Sequence, residues 1–143
     1  MSVAFGQNDS LVSTFYPSGA QETLGFYIEG VRDGSWTEWF EGDVYKDFGT
    51  DGLPNTQDNG EGNGQFDSTE TITYDKNNNG VYDPPQIKTQ GYYTSGNRDS
   101  LWVFWYDDGV KEERSFYKNG KLTGHLQKWY PNGNRKEGGK YVS

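Results

Sequence analysis

Oxygen-bearing side chains recur at regular spacing between residues 43 and 86. Three twelve-residue copies of one pattern begin at Asp47, Asn59 and Asp75, and each copy has glycine at its sixth position. A calcium ion takes about six to eight hard oxygen ligands, so alternate side chains must curl around one point. Glycine permits the sharp turn that follows them. The pattern therefore predicts three loops that bind a hard cation.

The three copies resemble the calcium loop of EF-hand proteins, in which positions 1, 3, 5, 7, 9 and 12 supply ligands. Position 7 supplies a backbone carbonyl, and position 8 holds an apolar anchor, here Phe66 in the second copy and Tyr82 in the third. The resemblance implies calcium as the bound ion. The candidate metal ligands are Asp47, Asp51, Leu53, Asn55, Asp58, Asn59, Glu61, Asn63, Gln65, Asp67, Glu70, Asp75, Asn77, Asn79, Val81 and Asp83.

The copies are unequal. The first has Gly49 at position 3, and the third ends in Gln86, where an acid is usual. The preceding Pro84 and Pro85 exclude the exiting helix of an EF-hand, so these loops are closer to thrombospondin type 3 repeats. Their sparse charge predicts weak binding, with a dissociation constant of about 10⁻⁴–10⁻³ M. The alternative is a flexible linker rich in Asn, Gly and Asp.

The charge of the chain is concentrated in this segment. The net charge is -8, and residues 43–86 contain nine acidic and two basic residues, a net -7. So little apolar content should leave the segment disordered without a cation. There is no basic stripe, which disfavours nucleic acid as a partner. The chain has no cysteine and no apolar run of the roughly 20 residues that a membrane span needs.

Aromatic pairs recur on both sides of the acidic segment. Tyr93, Tyr106 and Tyr117 are 13 and 11 residues apart, which makes a period of 24, and glycine turns keep the same period. Trp36 and Trp102 are equivalent markers on either side of the segment and lie 66 residues apart. Subtracting one period from 66 leaves an insert of 42 residues. The repeat therefore resumes in phase behind the insert.

Short strands joined by tight glycine turns predict an all-β fold of stacked antiparallel β-hairpins with an irregular calcium-binding loop insert. The segments FYPSGAQETLGFYIEGVRDGSWTEWF and FYKNGKLTGHLQKWYPNGNRKEGGKY resemble the bacterial variant of the MORN repeat. The resemblance covers residues 13–42 and 90–142, but Ser100 stands where glycine is usual. Choline-binding and similar hairpin repeats share the pattern. The resemblance implies a scaffold for protein or lipid contacts, although the acidic surface does not favour a membrane.

The predicted organisation has four parts: an N-terminal segment, hairpin repeats, the calcium insert and further hairpin repeats. Their bounds are 1–12, 13–42, 43–87 and 88–143. The first part reads as the remnant of a secretory signal, as a disordered terminus or as an assembly strand. The assembly alternative arises because Asp9–Phe15 has strand-forming residues and no evident hairpin partner. It would pair with a neighbouring subunit and give a ring or a filament.

We therefore expect a secreted or cell-surface structural protein whose partners are calcium ions and either another protein or a second copy of the chain. We expect no enzyme, because His125 is the single histidine and no spacing fixes a pair of catalytic carboxylates. The alternative is a carbohydrate- or ligand-binding module with an exposed aromatic face. In each aromatic pair, one ring should face the packed side of the sheet and the other should lie outside.

Overall fold

The computed structural model describes residues 9–47, 53, 57 and 61–141, and these form an all-β protein. No helix occurs in these ranges, and so none that could cross a membrane. The strands are β1 (Ser10–Phe15), β2 (Gln21–Ile28), β3 (Val31–Trp39), β4 (Val44–Lys46), β5 (Thr71–Tyr74), β6 (Ile87–Thr94), β7 (Asn97–Trp105), β8 (Lys111–Lys118), β9 (Lys121–Trp129) and β10 (Arg135–Tyr141). The predicted fold class is confirmed.

The strands form two sheets in two compact units. The first unit contains the described residues of 1–15, 21–40 and 86–143, and its eight strands are ordered β1-β2-β3-β6-β7-β8-β9-β10. Every neighbouring pair that the structure describes in this sheet is antiparallel. The second unit contains the described residues of 16–20 and 41–85, with the two-stranded sheet β4–β5. The chain thus stacks hairpins in sequence order and interrupts them once.

Two kinds of turn alternate along the large sheet. Between β2 and β3, Glu29 and Gly30 both have positive φ, at 50° and 82°, and residues 95–96 and 119–120 repeat this signature. Two successive positive φ values give the type I′ turn, whose twist matches that of the flanking strands. The turn between β7 and β8 is longer: the Gly109 amide donates to the Tyr106 carbonyl at 3.0 Å. The hairpins are therefore closed by glycine conformations and backbone hydrogen bonds within each turn.

The core is a row of aromatic rings on one face of the large sheet. Trp36, Tyr93 and Trp102 are buried, and adjacent rings in this row meet edge to face at 5.6 and 4.9 Å between centroids. The Arg98 guanidinium lies 4.6 Å from the Trp102 ring and covers it. Tyr93 is 8% exposed whereas its neighbour Tyr92 is 46% exposed, as predicted for an aromatic pair. A single sheet can thus build a core from large rings.

Each buried tryptophan lies across a glycine on a neighbouring strand. A Cβ atom added to Gly25 would overlap the ring of Trp36, and one added to Gly91 would overlap the ring of Trp102. On the other side of Trp102, the fully buried Ser115 is its direct cross-strand neighbour. Small residues beside the indoles therefore let the rings lie flat on the sheet.

The N-terminal strand has a partner in its own chain, which corrects the expectation that it lacks one. β1 pairs with β2, with Leu11 opposite Phe26 and Ser13 opposite Leu24. The repeat period is consistent with this pairing, because Phe15 and Tyr16 lie 11 residues before Phe26 and Tyr27. The Gly19 amide donates to the Tyr16 carbonyl at 2.9 Å, as the Gly109 amide does to Tyr106. Residues 1–8 lie outside the described ranges.

The insert leaves the large sheet and returns to it at adjacent positions. Trp39 at the end of β3 is opposite Ile87 at the start of β6, and the Phe40 amide donates to the Gln86 carbonyl at 2.8 Å. Along the chain, the inserted segment therefore replaces the turn of one hairpin. The segment spans 41–85, so it starts and ends two residues earlier than the sequence boundaries of 43 and 87.

Removing residues 44–85 should leave a protein that still unfolds cooperatively. The shortened connection from Phe40 to Gln86 has the same length as the turn from Tyr106 to Val110, whose Gly109 has a φ of 85°. We expect the deletion to fold best with Asp43→Gly, which supplies glycine at the equivalent place. Urea denaturation followed by circular dichroism measures this. A non-cooperative transition in both deletion variants would contradict the division into units.

Candidate metal centre

A cluster of three aromatic rings anchors the loops of the second unit. The stacked rings of Phe66 and Tyr82 lie 4.6 Å apart between centroids, and Tyr45 on β4 meets them at 5.4 and 5.0 Å. Phe66 and Tyr82 are the position-8 residues of the second and third copies. Burial raises the pKa of the Tyr45 and Tyr82 hydroxyls, with smaller contributions from nearby acids. The two loops therefore share one small apolar core.

Hydrogen bonds link the oxygen-bearing side chains of the third copy to one another and to its backbone. Asp75 accepts hydrogen bonds from the backbone amides of Gly80 at 2.7 Å and Asn79 at 3.2 Å. The side-chain amides of Asn77 and Asn79 both donate to Asp83 Oδ2, at 2.8 and 2.9 Å. Each oxygen that accepts one N–H group keeps a lone pair for another partner. Positions 1, 3, 5 and 9 of this copy are thus brought together as the spacing predicts.

Backbone amides favour the ionised form of Asp75. The Gly80 amide is the largest cause of a lowered Asp75 pKa, and the amides of residues 77–79 add to it, while desolvation opposes them. The carboxyl group therefore remains an anion throughout the neutral range. A charged oxygen at position 1 is what a hard cation requires.

Asp43 accepts hydrogen bonds from two residues of the third copy, at positions 2 and 9. Asp43 is not part of the twelve-residue pattern. It is 3% exposed, and its two carboxylate oxygens accept the amides of Lys76 and Asp83, each at 2.8 Å. The Asp43 amide in turn donates to the Asp83 carbonyl at 2.9 Å. Asp43 lies 32 residues before the start of the copy, so only the tertiary fold brings it there.

The second copy has a similar internal arrangement. Asn63 Oδ1 accepts the Gln65 amide at 2.6 Å, and Asn63 Nδ2 donates to Asp67 Oδ2 at 3.1 Å. The Asp67 amide donates to Glu70 Oε2 at 2.8 Å, and the Glu70 side chain is buried. Glu61 accepts the Gln57 amide at 2.5 Å. Positions 5, 9 and 12 are therefore linked, and Glu61 at position 3 lies in the same loop.

Asp47 belongs in space to the second copy, although the sequence places it at the start of the first. Its two oxygens accept the backbone amides of Gly62 at 2.9 Å and Gly64 at 2.8 Å. Gly64 is the sixth residue of the second copy, as Gly80 is of the third, where Asp75 accepts its amide. The Asp47 carboxylate thus has the hydrogen-bonding role of a position-1 residue.

The two loops lie at opposite ends of the small sheet. β4 and β5 are antiparallel, with Lys46 opposite Thr71 and Val44 opposite Tyr74. Asp47 and Glu70 therefore flank one end of the sheet, whereas Asp43 and Asp75 flank the other. Because Asp43 precedes the three-residue strand β4 and Asp47 follows it, the strand places one acid beside each loop.

The remaining predicted ligands are less well defined. Asp51, Asn55, Asp58 and Asn59 lie outside the described residues. The position-7 residues Leu53 and Val81 have side chains that are 58% and 61% exposed, and Gln65 is exposed as well. Exposed side chains are compatible with position 7, since its carbonyl is the ligand there.

The residues present fit a weak calcium site better than a site for a transition metal. Within residues 9–47, 53, 57 and 61–141, no three acidic or histidine side chains lie close enough together to hold a metal ion. The third copy instead combines two carboxylates with two amides. Such neutral oxygen ligands suit calcium, whereas the described loops offer no sulfur or imidazole.

The fold places the chain in the class of all-β proteins with a hairpin-stacked antiparallel sheet. Comparisons with known proteins do not assign a family to the chain. No protein-family model matches the chain, no curated protein is significantly similar to it, and no solved structure is a significant match.

Proposed function

We propose that this protein is an extracellular or cell-surface scaffold of the MORN-like kind, whose inserted unit is ordered by calcium. The observation that carries the proposal is the third copy, where four hydrogen bonds join Asp75, Asn77, Asn79 and Asp83. Those side chains are the predicted ligands at positions 1, 3, 5 and 9. To bind calcium, Asn77 and Asn79 would turn their Oδ1 atoms, which here accept the backbone amides of Asn79 and Val81, towards the ion.

Acidic charge in the insert supports a role for a cation. The segment carries a net -7, and Asp43 and Glu70 are buried within it. Burying carboxylates is costly unless they are compensated by hydrogen bonds or by a positive charge. Backbone amides compensate part of this cost, and calcium would compensate more. Affinity in the range of about 10⁻⁴–10⁻³ M is typical of calcium modules outside the cell, which favours a secreted or surface location.

A structural role is also supported by how the large sheet uses its aromatic residues. Trp36 and Trp102 are buried in the core, so they cannot stack on a sugar ring. His125 is exposed on β9. Binding of a carbohydrate by the exposed rings remains the alternative, and a glycan array tests it.

Calcium titration tests the proposal directly. After chelation of all metal, isothermal titration should give saturable heat with two ions for each chain, or three if the first copy also forms a site. Limited proteolysis within residues 48–86 should slow by about tenfold or more on adding calcium, because ordering protects backbone from cleavage. Magnesium is the control ion, since it requires a stricter octahedral geometry and keeps its waters. An absence of heat together with unchanged proteolysis would refute calcium binding.

A further inference from the structure

The two edge strands of the large sheet differ in chemistry. β10 carries Arg135, Lys136 and Lys140 and two glycines, which discourage pairing with another strand. β1 has the sequence SLVSTF, with no charge, no proline and no glycine. No described strand pairs with its outer edge, where about half of its backbone N–H and C=O groups point. Such an edge is a template for another extended strand.

β1 also exposes apolar side chains on one face. Leu11 and Phe15 are 59% and 58% exposed, whereas Val12, on the opposite face, packs against the aromatic core. Successive side chains of a strand alternate between faces, so Leu11, Ser13 and Phe15 share the face away from the core. The register shift near Phe15 skips a residue of β2, so β1 itself keeps this alternation.

A second β1 strand can pair with this edge in a self-complementary register. A twofold axis through Ser13 and normal to the sheet puts Leu11 opposite Phe15 of the second copy, and Val12 opposite its Thr14. Residues directly opposite then lie on the same face, as an antiparallel ladder requires. Both exposed apolar residues gain an apolar partner, and no two charges face each other.

From this geometry we propose that the outer edge of β1 is a homodimer interface, in which two copies of the chain pair antiparallel about Ser13. The pairing joins two eight-stranded sheets into one and ends there, because the contact is isologous and closes on itself. This conclusion goes beyond calcium binding, since no residue of the second unit takes part. It also replaces the ring or filament expected from the sequence with a closed dimer.

A single cysteine tests the register, because the chain has none of its own. In the dimer, Ser13→Cys places two thiols directly opposite each other, with Cα atoms about 4.5–5.5 Å apart, which a disulfide can span. Ser10→Cys is the matched control on the same strand, since its two copies would lie roughly 20 Å apart. Air oxidation should convert Ser13→Cys to a covalent dimer at least tenfold faster than Ser10→Cys. Equal rates would overturn the register.

Charge pairs test the same contact without covalent chemistry. Leu11→Glu with Phe15→Glu puts like charges opposite each other twice and should weaken the dimer on the order of a hundredfold. Leu11→Lys with Phe15→Glu puts opposite charges there and should restore dimerisation in a salt-dependent way. Both positions are exposed, so circular dichroism should show both variants folded. Sedimentation of the unaltered chain gives the reference mass.

Three other outcomes would contradict the proposed β1 interface. A monomer at millimolar concentration, with or without calcium, would show that β1 does not self-associate. Weakening by Lys136→Glu and Lys140→Glu in β10, but not by the β1 charges, would show head-to-tail assembly instead. Dimers that form only with calcium would show that the contact involves the second unit and not β1. That result would still be consistent with calcium binding.

Discussion

Replacing Trp102 with alanine is expected to lower the free energy of unfolding by about 3–5 kcal/mol, a large part of the roughly 5–15 kcal/mol that holds a domain folded. Trp102 is 1% exposed and packs edge to face against Tyr93, with Arg98 over its ring. Its removal leaves a cavity in the aromatic row. Urea denaturation measures the loss.

Trp105→Ala is the matched control, because Trp105 lies on the same strand and is only partly buried. Trp105→Ala should lower the free energy of unfolding clearly less than Trp102→Ala does. A loss below about 1 kcal/mol for Trp102→Ala would show that the aromatic row does not carry the stability of the sheet.

A double-mutant cycle with Gly91 tests the close approach itself. Gly91→Ala alone should destabilise the protein by about 1–3 kcal/mol, because the new methyl group overlaps the Trp102 ring. In the Trp102→Ala background the same methyl group enters the vacated space, so its cost should fall. If the two substitutions lower the free energy of unfolding additively, Gly91 is needed for a reason other than its contact with Trp102.

Substitution of single acids should distinguish the two proposed calcium sites. Asp75→Asn keeps the shape of the side chain but loses its charge, so the third copy should bind calcium about tenfold or more weakly while the second copy still titrates. Asp47→Asn should do the reverse, since its carboxylate accepts the amides of Gly62 and Gly64 in the second copy. The double variant should lose both ions.

Asp107→Asn is the charge-matched control for these variants, because Asp107 is exposed in a turn of the large sheet. It should leave the titration unchanged. If Asp47→Asn leaves the second copy intact and removes a third, separate ion, the first copy is an independent site and the assignment of Asp47 is wrong.

The second unit illustrates what can be predicted from a local pattern. Within a twelve-residue loop, the glycine at position 6 and the oxygens around it are fixed by chain geometry, so the contacts of Asp75, Asn77, Asn79 and Asp83 follow from spacing alone. These contacts are encoded over a few neighbouring residues. The stacking of Phe66 on Tyr82 is not, because these two position-8 residues belong to different loops and lie 16 residues apart.

The sequence by itself determined the all-β class, the hairpin turns and the place of the insert, because glycine conformations and aromatic spacing act over short stretches of chain. Only the tertiary structure decided the contacts made across strands. Gly25 and Gly91 are small because tryptophans from neighbouring strands lie over them, and Asp43 and Asp47 act on loops more than a dozen residues away. Such contacts depend on the register between strands, which no single stretch of residues specifies.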